Sequence, residues 1–92
     1  MLSKDIAKEM AEGARLGVEA EALLNSEVFK VAKAASSGEI LQNIYSIDIA
    51  SDKEGALELI RSLQSMNRFI EQLEDIIGDG KFYQTQLEQM EN

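Results

Sequence analysis

Apolar residues in the second half of the chain recur at helical spacing. Between Ser51 and Gly78, Ala56, Leu59, Leu63, Met66, Ile70, Leu73 and Ile77 fall at alternating steps of three and four, an a/d seam over three heptads. Leu57, Ile60, Phe69 and Ile76 flank it, which widens the stripe beyond what a two-stranded zipper needs. Ser51 and Glu54 have capping-box spacing and predict the helix start near residue 52. Gly78, followed by Asp79 and Gly80, predicts its end at about 77.

The first half reads as a second helical arm over about residues 3–45, with Ser3 as its cap. Leu2, Ile6, Met10, Gly13, Gly17, Ala20 and Leu24 share a face that is bulky at its ends and small in its middle. Each mid-helix glycine costs about 1 kcal/mol relative to alanine. Gly13 and Gly17 either mark a close crossing with another helix or loosen a frayed first helix. Asn25-Ser26-Glu27 predicts a bend, with Asn25 as N-cap. Beyond it Val28, Phe29, Ala32 and Ala35 line one side, followed by Ile40, Leu41 and Ile44. Ala34 to Gly38 is the weakest helical stretch and a place for a kink at 36–38, though a mostly continuous arm is expected. Tyr45 to Ala50 alternates apolar and polar residues and predicts an extended connection, with Ile47 and Ile49 tucked against the hairpin end. Residues 81–92, with Phe82, Tyr83, Leu87 and Met90, read as a tail or as an arm or short helix docking on a neighbour, the tail being preferred. The expected fold is all-α: one domain spanning 1–92, a long antiparallel helical hairpin with arms at about 3–45 and 52–77 and a short C-terminal segment. A lone two-arm hairpin leaves apolar surface wet, so the seam is expected to be an oligomerisation surface.

At 92 residues the core is small and association is a natural supplement to it. There is no cysteine, histidine or proline. Disulfides, thiolate metal sites and the commonest general base are thereby excluded, so no metal, no cofactor and no enzymatic activity are expected. The first residues lack the character of a signal peptide, and no apolar run approaches the ~20 residues of a membrane span. A soluble protein without membrane contact is expected.

The net charge is −8 and is unevenly spread. Residues 1–35 carry five basic against six acidic residues, and residues 36–92 four against eleven. Lys4, Lys8, Arg15, Lys30 and Lys33 form a thin basic set, so direct nucleic-acid binding is expected to be weak at most. Glu71, Glu74, Asp75 and Asp79 cluster near the predicted end of the long helix. They are either a partner-binding acidic cluster or a solvated end that keeps the chain in solution, the second being preferred. Their spacing fits no calcium loop.

Three pieces carry a resemblance: Glu19 to Phe29, the Ser51-Asp52-Lys53-Glu54 opening of the leucine-rich helix, and Ile76 to Lys81. Their order over residues 14–88 resembles small all-helical proteins of the packaging and head-assembly regions of tailed phages, some of them small-terminase-like. The resemblance implies a non-enzymatic homo-oligomer of the bacterial host cytoplasm or the virion. Its partners would be the large terminase, the portal or another virion protein. The chain departs from that family in its acidity and in lacking a helix-turn-helix reader, and no functional residue carries over. The alternative is an acidic adaptor or inhibitor that engages a basic partner.

Overall fold

The computed structural model describes residues 4–91, and all of its regular structure is helical: α1 (Lys4–Asn25), α2 (Glu27–Ser46) and α3 (Lys53–Glu91). Leu2, the Ser3 cap and Asn92 lie outside the described residues. The chain divides into two units, each a pair of antiparallel helical segments. In the first, α1 pairs with α3 from Glu71 onward; in the second, α2 pairs with α3 up to Ile70. The all-α hairpin read from periodicity is the observed fold, and its boundaries move in three places.

The first arm is two helices. Ser26, not Asn25, is the cap of α2: its backbone is extended, and its hydroxyl accepts from the Phe29 amide at 3.1 Å. Asn25 is the last residue of α1. A hydroxyl three residues before Phe29, with Glu27 in the first turn, meets the needs of a helix start. The weak stretch 34–38 stays helical. There the Ser37 hydroxyl donates to the Lys33 carbonyl at 2.7 Å, so it bonds within the helix instead of competing with it.

The connection lies two residues further along the chain than the apolar–polar alternation implies. Tyr45 and Ser46 complete α2, and residues 47–52 form the link. Asp48 organises it as an Asx turn: its carboxylate accepts from the Ala50 amide at 3.1 Å, and its carbonyl accepts from the Ser51 and Asp52 amides. The Ser51 hydroxyl and the Ala50 amide hold the Asp48 carboxyl below the usual range. Ile47 is half-buried as expected, but Ile49 is 58% exposed.

Asp52 caps α3 in place of Ser51, accepting from the Gly55 amide at 2.9 Å. Gly55 leaves room for that carboxylate: a methyl group there would lie 2.5 Å from Asp52 Oδ2. At the other end α3 runs through Gly78-Asp79-Gly80 to Glu91, and no described glycine has positive φ. The predicted stop at 77 fails because tertiary contact outweighs local propensity. Gly80 is buried, and Tyr83 and Leu87 are half-buried in the first unit. Residues 81–91 are therefore helix rather than tail.

Candidate functional site

Neither unit has a deep interior. Among the described residues the buried apolar ones are Ala14, Ala20, Ala56 and Ile70, with Gly17 and Gly80 beside them as buried glycines.

Ala56 and Ile70 are buried, and Leu59, Leu63, Met66, Leu73 and Ile77 are half-buried, so the chain itself covers part of the seam expected to join copies. In the second unit Leu59 lies with Asn43 and Ile47, and Met66 and Ile70 lie with Phe29 and Ala32. The Ser37 hydroxyl also comes within 3.8 Å of Met66 Sδ. In the first unit Leu73 lies with Leu16 and Ala20, and Ile77 with Ala14 and Gly17. A two-helix pairing covers a stripe about one seam wide, which leaves the flanks outside. Leu57, Ile60, Phe69 and Ile76 are all exposed.

Gly13 and Gly17 face the far part of α3. A methyl group on Gly17 would fall 2.9 Å from the Gly80 Cα and 3.1 Å from the Ile76 carbonyl oxygen. On Gly80 it would fall 2.8 Å from the Gly17 Cα. The two helices touch backbone to backbone there, an approach that only glycine permits. Gly13 makes room for a side chain, because a methyl group on it would lie 2.5 Å from Tyr83 Cδ2. Tyr83 in turn meets Phe82 edge to face, with ring centroids 5.9 Å apart. The role of Gly80 was missed in the sequence, where it passes for part of a helix stop. A signal for it was present: Gly80 continues the seam three residues after Ile77, and its smallness matches that of Gly13 and Gly17.

The charged residues lie outside these contacts. Glu71, Glu74, Asp75 and Asp79 are all exposed. They sit in the middle of α3, not at its end. Of the basic set, Lys4, Lys8, Lys30 and Lys33 are exposed. Arg15 is engaged on its own helix, pairing with Glu12 and, at 2.6 Å, with Glu19. Glu12 is held below the usual carboxylate range chiefly by its hydrogen bond to Arg15. Lys81 lies 3.9 Å from Glu21 across the first unit. Among the described residues no group of three or more acidic side chains is placed to hold a metal ion, and no helix is long and apolar enough to cross a membrane.

With that geometry in view, no family, no curated protein and no solved structure matches the chain. Fold and surface carry the functional reading.

Proposed function

We propose that this chain is a non-enzymatic assembly protein that works as a helical homo-oligomer, in a setting such as tailed-phage genome packaging or particle assembly. The observation behind the reading is the surface left open. The chain exposes 7169 Å², whereas a folded monomer of 10.2 kDa typically exposes about 5,300 Å². The excess, about 1,900 Å², is more than the ~800 Å² that each partner contributes to a standard interface. Much of what is open is large and apolar, including Val28, Val31, Tyr45, Leu57, Phe69 and Phe82. Patches of that kind on a small protein mark association. Since the seam of α3 is partly covered within the chain, association would draw on other faces as well.

Light scattering on the purified protein tests this. The reading expects a stable mass of several chains, and a monomer at every concentration contradicts it. Co-purification with a large terminase or portal would supply the setting. A second reading, an acidic adaptor for a basic partner, rests on the exposure of Glu71, Glu74, Asp75 and Asp79. It expects a monomer or dimer whose binding to a basic protein weakens steeply as salt rises.

A further inference from the structure

Helices α1 and α2 are seated on α3 to very different depths. In α1, Ala14, Gly17 and Ala20 are buried, and Ala7, Met10, Gly13, Glu21 and Leu24 are half-buried. Among the described residues α2 has none buried, and Phe29, Ser37, Ile40 and Ile44 are its half-buried ones. Residues 30–36 are all exposed, so about two helical turns run along α3 without a covered side chain. A cleft of about 190 Å³ lies there, between Ala32, Lys33 and Ser36 on one side and Met66, Phe69 and Ile70 on the other. The first half of α2 is therefore anchored by Phe29 alone among its own residues.

Without α3, α2 has little to keep it helical. Val28, Val31, Ile40 and Ile44 are β-branched and stiff at χ1, which lowers helix propensity. Gly38 lowers it further, and nothing lies within 4 Å of where a methyl group on it would stand, so no contact offsets that loss. Ser26 has extended backbone and separates α2 from α1, so a released α2 would have to nucleate a helix afresh, the unfavourable step. Residues 53–70 of α3 are placed differently. They continue a helix that runs on to Glu91 in the first unit, and they need only propagation from it.

We infer that α2 is a strap that opens on its own: residues 27–46 leave α3 and unfold as a unit while α1 and α3 stay helical and paired. Ser26 and the 47–52 link are the two ends about which it moves. The opening bares Leu59, Met66 and Ile70, which lie with residues of α2 and its link in the closed form. Segments that move in regulation come from the least stable part of a fold, and this one would withhold part of the apolar seam of α3 until it lets go. Opening is a property of the single chain and stands apart from the association proposed above.

Hydrogen exchange on the full chain, at one dilute concentration, tests this. The amides within α2 should exchange together and with protection roughly tenfold or more below that of the amides around Gly17. Residues 57–70 should stay better protected than α2. Gly38→Ala, which puts its methyl group into open space, should raise protection across α2 roughly fivefold and leave that around Gly17 as it was. Equal protection in α1 and α2, with Gly38→Ala raising both alike, overturns the inference, because the chain then opens as one body. Loss of residues 57–70 together with α2 also overturns it, because the second unit then melts whole and no strap parts from the seam.

Discussion

The two units solve the same problem, a two-helix pair with little core, in opposite ways. The first is held together by what its residues lack: Gly17 and Gly80 let α1 and α3 touch along their backbones, and Gly13 admits the Tyr83 ring. The second depends on side chains that are present and on its caps. Ile70 and Ala56 are its buried apolar residues, Ser26 and Asp52 start its helices, and α2 has no buried residue at all. Close backbone approach lets a pair bury its small contact fully. Side-chain packing between only two helices leaves the outer side of each uncovered. Both units leave large apolar residues open, Val18 and Phe82 in the first and Val28, Val31 and Tyr45 in the second.

Substitutions can break or sharpen that contrast. Ile70→Ala should have the largest effect, removing about 2 kcal/mol or more by emptying the one large buried side chain of the second unit. Thermal unfolding followed by circular dichroism would show it. Gly17→Ala should destabilise by about 1–3 kcal/mol, because the new methyl group meets backbone that cannot move aside. Gly13→Ala should cost less, since the Tyr83 ring can swing away. Asp52→Ala should lose about 1 kcal/mol through the cap of α3. Gly78→Ala should go the other way and stabilise by up to about 1 kcal/mol, because Gly78 is exposed, helical and has open space around it. The same substitution at Gly17 and Gly78 thus has opposite signs, and that pair tests the packing account of the first unit. The smallest effect is on pH. The folded-state pKa of Asp48 is lowered, so what it adds to the turn is present at neutral pH and is lost as pH falls through that value. An NMR titration should show the Ala50 amide shifting with the Asp48 carboxyl at a lower pH than for a free aspartate.

The sequence made the hairpin legible because the seam from Ala56 to Ile77 has one period and faces one way. It also pointed to Gly13 and Gly17, since two glycines on one helical face are costly without a reason. It misplaced the caps by one residue because neighbouring Asn25 and Ser26, and Ser51 and Asp52, are all good capping residues, and only the direction of the backbone chooses between them. It ended α3 at Gly78 because glycine and aspartate in succession oppose a helix locally, while the contact that overrides them comes from α1, some sixty residues earlier in the chain. How little of α2 is covered was hidden by its composition. Val28 and Phe29 are alike apolar in the sequence, and only the packing against α3 separates the exposed Val28 from the half-buried Phe29.

The most direct measurement is hydrogen exchange on the full chain at low denaturant. If the second unit is the looser one, the amides of α2 exchange by an opening of their own, well before those around Gly17. A single shared opening for both stretches would contradict the account.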